Sequence, residues 1–174
     1  MLINVNGGGG VKRWSKFKIG DLFNIKIGKV IDGNKANRNG EIAYITRKES
    51  DNGLDGFVKA EKDLLNRNFP VITIGNETAK PFVQSYPFFT GTKVNILLPK
   101  RFYSKYVLFF IATSLEQHKQ KYSYSYTINS TRLNEQIILL PTNKDGEIDI
   151  NFMETYMREK ENQKIIQYLK AEID

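Results

Sequence analysis

The sequence predicts an α+β fold: a single domain built on a mixed, curved β-sheet, with one buried helix and a long C-terminal helix. Three observations carry this. Short apolar runs between residues 25 and 98 are separated by Asp-Gly, Asn-Gly and Pro, the punctuation of strands and turns. Tyr106–His118 is a dense apolar stretch with helical spacing. From Asn151 a largely polar segment without Gly or Pro runs to about Ala171.

Residues 1–10 end in Gly7-Gly8-Gly9-Gly10 and have the composition of a flexible linker, native or introduced in cloning, set apart from the fold. The domain proper is expected over residues 11–149. Ile25–Ile27 and Ile42–Thr46 read as strands, with Asp32-Gly33-Asn34 and Asn39-Gly40 as turns. Asp51-Asn52-Gly53 and Asp55-Gly56 punctuate a loop before Phe57-Val58. Val71–Ile74 and Val94–Leu98 read as buried strands, the second stopped by Pro99, and Ile137–Leu140 as another ended by Pro141. In the helix at Tyr106–His118, Val107, Phe110, Ile111 and Leu115 lie near one face. Leu108 and Phe109 broaden that face until the helix is mostly buried. Ser130 is placed to cap a short helix through Gln136.

The terminal helix, residues 150–174, opens with Asn151 followed by Glu154, a capping-box pattern. Phe152, Met153, Tyr156 and Met157 form an apolar start that should dock on the domain. Arg158–Lys164 is wholly polar, and Ile165, Ile166 and Leu169 form a second apolar patch. That patch has no evident partner in so short a chain. A helix that projects and pairs with another helix is expected, the alternative being one that folds back.

The 174 residues are 40% hydrophobic and 12% aromatic, enough apolar surface for one core. There is no cysteine, so disulfides, thiolate nucleophiles and cysteine-bound zinc are excluded. The longest strongly apolar run, Tyr106–Ala112, is far short of the roughly 20 residues that span a bilayer. Neither membrane nor export is indicated, and a cytoplasmic location is expected. Charge is segregated: Met1–Asn143 carries 21 Lys/Arg against 11 Asp/Glu, while Lys144–Asp174 carries 5 against 8. A basic body attracts a polyanion such as nucleic acid. An acidic tail is repelled by the same surface and should meet protein. The plain alternative is a solvated basic surface.

These segments also have a familiar order. Trp14 with Phe17-Lys18-Ile19-Gly20-Asp21-Leu22-Phe23 and Gly28-Lys29, then Gly40-Glu41-Ile42-Ala43-Tyr44-Ile45-Thr46, then Asn52-Gly53-Leu54-Asp55-Gly56-Phe57-Val58 form its first half. Ile72-Thr73-Ile74-Gly75, Pro81-Phe82, Pro87-Phe88-Phe89, Val94-Asn95-Ile96-Leu97 and Leu140-Pro141 continue it. The series resembles the target-recognition domain of type I restriction-modification DNA specificity (S) subunits. Its close, Gly146-Glu147-Ile148-Asp149 with Phe152-Met153-Glu154 and Tyr156, resembles versions in related endonuclease-methyltransferase complexes. The resemblance implies a non-catalytic domain that reads one half of a split double-stranded DNA target. It also implies a helix that binds the DNA methyltransferase (modification) subunit, with the restriction subunit as a further partner. Such subunits commonly hold two recognition domains and two helices. One of each here implies either a half-length subunit that forms a homodimer or one half of a two-domain chain.

Catalytic groups are scarce. No Asn-Pro-Pro-Tyr or Asp-Pro-Pro-Tyr of an adenine methyltransferase and no phosphate-binding glycine loop occurs, and the lone His118 has no ligand companions. No cofactor or metal is expected. Base reading needs polar side chains on loops, with Arg or Lys favouring guanine and Asn or Gln favouring adenine. Lys29, Asn34, Lys35, Asn37, Arg38 and Asn39 form one such loop, Arg47 and Lys48 follow a strand end, and Lys80 follows a turn. Lys119, Lys121, Tyr122, Tyr124 and Tyr126 make an alternating basic-aromatic run, either a half-packed edge strand or a phosphate-holding segment. The family places a DNA-facing segment there, and Arg132 follows it on the short helix. On the distal patch, Ile165, Ile166 and Leu169 are the candidate partner-binding residues. Two other classes stay open: a single-stranded or RNA-binding module using the same lysines and tyrosines, and a protein-interaction subunit that does not bind DNA.

Overall fold

The computed structural model describes residues 2–3, 12–122 and 126–172. In chain order the first elements are β1 (Leu2–Ile3), β2 (Lys12–Lys18), the single turn α1 (Ile19–Leu22), β3 (Phe23–Ile27), β4 (Asn37–Ile45) and β5 (Leu54–Lys59). Then come β6 (Val71–Gly75), β7 (Pro81–Gln84), β8 (Phe89–Thr90), β9 (Val94–Pro99), α2 (Lys105–Glu116), α3 (Ser130–Glu135), β10 (Ile137–Thr142) and α4 (Ile150–Ala171). The expected α+β class holds, but the strands divide into three small sheets: β1-β2-β10, β3-β9-β6-β7 and β5-β4-β8. The mixed character resides in the last, where β4 runs parallel to β8 and antiparallel to β5.

The helix α2 organises the main core. Ser104 caps it by accepting a hydrogen bond from the Val107 amide. Val107, Leu108, Ile111 and Leu115 are buried against Ile72, Val83 and Leu97 of the four-stranded sheet and Ile138 and Leu140 of the three-stranded one. Each such side chain, fully buried, contributes about 1.5–3 kcal/mol. A second, smaller cluster of Ile31, Tyr44, Val58 and Phe89 fastens β4, β5 and β8.

Several local signals resolve differently from expectation. Strand β2, Lys-Arg-Trp-Ser-Lys-Phe-Lys, gave no local strand signal, because charge masks its alternation. It is held by pairing with β10, from Lys18 opposite Ile137 to Arg13 opposite Thr142. Pro141 does not end β10 but sits within it. Its carbonyl accepts from the Asp149 amide, on the side away from β2, so its nitrogen also faces away and no ladder bond is lost. Pro99 likewise closes β9 opposite Phe23 instead of lying beyond it. Asn39-Gly40 is not a turn but part of β4, where the register with β5 slips between Asn37 and Ile42.

Glycine is needed at that slip because the strands touch. A Cβ on Gly40 would lie 1.9 Å from the Val58 carbonyl carbon and 2.1 Å from its oxygen. Gly40→Ala should therefore destabilise the domain by about 1–3 kcal/mol, the usual range for forced overpacking. A urea midpoint that does not move would show that the slip absorbs the methyl group.

Helix caps also shift from the expected residues. Asn129, not Ser130, caps α3, its Oδ1 accepting from the Arg132 amide at 2.9 Å, while Ser130 donates to Asn95. Asp149, not Asn151, caps α4 by accepting from the Phe152 amide at 2.9 Å. Its other oxygen pairs with Lys12 of β2. Burial alone would push the Asp149 carboxyl up, but Lys12 and the Phe152 amide outweigh it and hold the carboxyl below its ordinary value. Glu154 turns instead to Ser104 and Arg158.

The first apolar patch of α4 docks as expected: Met153 is fully buried, and Phe152 and Tyr156 meet Phe110 edge-on at 6.4 and 5.8 Å. A last tether is the Tyr106 hydroxyl, which donates to Glu161. From Arg158 to Glu172 every residue is exposed. Ile165, Ile166 and Leu169 are each about half exposed, so the helix does not fold back onto the body. Among the described residues no helix is long and apolar enough to cross a membrane.

Candidate nucleic-acid interface

Four connecting segments meet on one face. The loop after β4 carries Arg47, Lys48 and Glu49, and the turn after β6 carries Glu77 and Lys80. The turn before β9 carries Lys93, and the segment after α2 carries Lys119, Lys121 and the tyrosines. Cross-contacts tie them together. Arg47 pairs with Glu77, Lys93 pairs with the same carboxylate at 3.1 Å, Lys80 pairs with Glu116, and Lys119 pairs with Glu49. The Ile128 amide donates to the Asn76 carbonyl, joining the tyrosine segment to the β6–β7 turn. Lys48 pairs locally with Asp51 at 2.7 Å, which holds the ammonium above its ordinary value and the carboxyl below.

The structure thus brings Arg47, Lys48, Lys80 and Lys119 to one loop cluster. It also shows something their residue types do not disclose: each shares a carboxylate. The pairs lie at the surface, two of them partly buried, where exposed ion pairs contribute about 0–1 kcal/mol and weaken with salt, so a phosphate can compete for the cation. Lys121 is exposed and, among the described residues, forms no ion pair. Lys93, Glu77, Glu49 and Glu116 are site residues that sequence reasoning missed. A cation at the Gly91-Thr92-Lys93 turn was the one signal available for Lys93.

Beyond Lys121, Tyr122 and Tyr126 stack at 6.1 Å, and Arg132 lies over the Tyr126 ring at 3.7 Å. Tyr126 is half exposed, whereas Tyr122 is partly buried and donates its hydroxyl to Gln136 at 2.7 Å. Tyr122 is therefore a packing residue of the main core. Tyr124 lies outside the described residues. His118 is held below its ordinary pKa, first by burial and then by Lys121, and so is uncharged near neutrality.

Lys29, Lys35 and Arg38 form a separate group. Lys29 is exposed and donates to the Asp63 carbonyl, and Lys35 is exposed in the turn at 33–35. Arg38 lies on β4, not in a loop, pairing with Asp55 at 3.2 Å and lying 5.2 Å from the Tyr44 ring centre. No hydrogen bond or ion pair among the described residues joins these three to the first cluster. Among the same residues, no group of three or more His, Cys, Asp or Glu is placed to hold a metal.

A basic loop face and a docked, projecting helix fit the family that the motif order resembles. Residues 11–171 match the type I restriction modification DNA specificity domain. The chain belongs to that family. The specificity subunit of a type II restriction enzyme from Heyndrickxia coagulans is 52% identical to this specificity domain over 147 residues, 83% of this chain and 43% of that protein. Among solved structures, the S subunit of a type I restriction-modification system from M. genitalium superposes with a TM-score of 0.65 at 17% identity, over 91% of this chain and 41% of that one. The HsdS subunit of Thermoanaerobacter tengcongensis gives a TM-score of 0.58 at 15% identity, over 92% and 39%. At these identities the likeness is one of fold. The specificity domain spans less than half the length of each of these relatives.

Proposed function

We propose that this specificity domain binds double-stranded DNA through the loop cluster around Arg47, Glu77 and Lys119, reads base edges there, and delivers catalytic partners without performing chemistry itself. The observation that carries the reading is the convergence of cations from four separate connections onto one face of a domain in the DNA-specificity family. Arg47 is the candidate base reader within the cluster and Arg38, in the separate group on β4, a second candidate reader outside it, while Lys119 and Lys121 hold phosphate. The distal part of α4 docks the methyltransferase subunit, with the restriction subunit completing the assembly. A second copy of the chain, or a second half on a longer chain, supplies the other half of the target.

The test is a contrast between two classes of substitution. Arg47→Ala or Arg38→Ala should cost about 1–3 kcal/mol on the selected duplex and blunt preference at one base. Lys121→Ala should weaken all duplexes alike and reduce the slope of log affinity against log salt by about one. A flat salt response would reject the electrostatic reading, and equal losses on cognate and scrambled duplexes would reject the division into readers and holders. The Arg132–Tyr126–Tyr122 stack would also suit unpaired bases. Preferential competition by single strands would favour that second reading.

A further inference from the structure

Three connections of the chain end on one carboxylate. Glu77, in the turn between β6 and β7, accepts from the Arg47 guanidinium on one oxygen and from the Lys93 ammonium on the other. All three groups are rooted in fixed backbone. Gly75 allows the close approach of Arg47, since a Cβ there would lie 3.0 Å from the Arg47 Cα and Cβ. Lys93 has a left-handed φ of 57°, and its carbonyl accepts from the Asn76 amide at 3.0 Å. The turn itself closes with the Ala79 amide donating to the Gly75 carbonyl at 3.0 Å.

A carboxylate on a face that meets phosphates opposes binding through like-charge repulsion. Its placement is explained by what it does to its neighbours. An arginine carries five donors in a planar fork, and Glu77 engages only the Nη1 end. The rest of the fork is left for an outside acceptor, with the plane already fixed. Lys93, 62% exposed at its side chain, supplies a cation beside it for phosphate.

Building on the DNA-reading role proposed above, we propose that Glu77 is a positioning residue for base discrimination: it orients Arg47 toward a base edge and keeps the guanidinium from being spent on phosphate. Discrimination at one base then depends on a carboxylate that itself touches no base. Non-specific affinity is lower than the cations alone would give.

The experiment uses the full-length chain and duplexes with a randomised central segment, selected by binding and read by sequencing. Titrations on a selected and a scrambled duplex at several salt concentrations follow. Glu77→Gln keeps the shape and removes the charge. It should lower the selected-to-scrambled affinity ratio about tenfold, raise affinity for the scrambled duplex about threefold, and steepen the salt slope by about one. Lys93→Ala should reduce the slope by about one and leave the ratio intact. A residue that merely held the turn would lower the melting temperature and move neither ratio nor slope. Should Glu77→Gln not fold, Glu77→Asp, which keeps the charge but withdraws it by one methylene, must show the reduced ratio. If Glu77→Gln keeps every wild-type base preference while Arg47→Ala loses one, the positioning role is wrong and DNA reading stands. If Arg47→Ala also keeps every preference, Arg47 is no reader and the inference falls with it. If the wild-type chain selects no sequence, the DNA-reading proposal itself is overturned.

Discussion

Removal of Gln163–Asp174 should abolish assembly with the methyltransferase subunit or a second copy while leaving the body as stable as before. Ile165, Ile166 and Leu169 lie beyond the last tether of α4 at Glu161 and are 51, 52 and 54% exposed, so the body loses no packing with them. Completing their burial in a complex contributes roughly 1 kcal/mol or more per side chain. The three together account for about two orders of magnitude in affinity or more. Native mass spectrometry or light scattering at micromolar protein should show only free chain, with a melting temperature within about 2 °C of the full-length protein. The double substitution Ile165→Glu with Leu169→Glu should do the same while preserving helix length. Normal stoichiometry after either change would mean that the distal helix is not the docking element.

Met153→Ala should produce the largest stability loss of any single change in α4, about 2–4 kcal/mol. Met153 is fully buried, at the point where Phe152 and Tyr156 close over Phe110 and Phe110 in turn stacks on Trp14 at 5.9 Å. Truncation leaves a cavity among rigid rings that cannot collapse into it. The midpoint of urea unfolding should fall with little change in slope, and thermal unfolding should move down by roughly 5–15 °C. Because the proximal turns of α4 anchor the helix in the core, partner assembly should weaken in parallel. A stability loss under 1 kcal/mol would show that α4 is a loosely attached appendage and not an extension of the core.

The parts of this fold that were legible locally share a property: their partners matter less than their own pattern. Helix α2 was readable because its apolar residues recur at helical spacing whatever sheet they meet, and Val71–Ile74 and Val94–Leu98 because short, mostly apolar runs mark strands covered on both faces. Strand β2 was not. Most of its residues gain a strand conformation by pairing with β10, more than a hundred positions away, and nothing local in a run with four cations announces it. Gly40 was misread because an Asn-Gly pair is a turn signal on its own, whereas here the small residue is required by the neighbouring strand.

The same division runs through the candidate site. By itself the sequence determined which residue types the loops carry, the separation of a basic body from an acidic helix, and the order of motifs that placed the chain in its family. It also determined that the last helix has a docking patch and a second patch with nothing of its own to cover. Only the tertiary structure decided which cations share a surface and with which acids. Arg47 meets Glu77 across 30 residues, Lys80 meets Glu116 across 36, and Lys119 meets Glu49 across 70. Charge pairing acts over a few ångströms in space and is indifferent to distance along the chain, so it follows from the packing of the sheets and not from any local pattern.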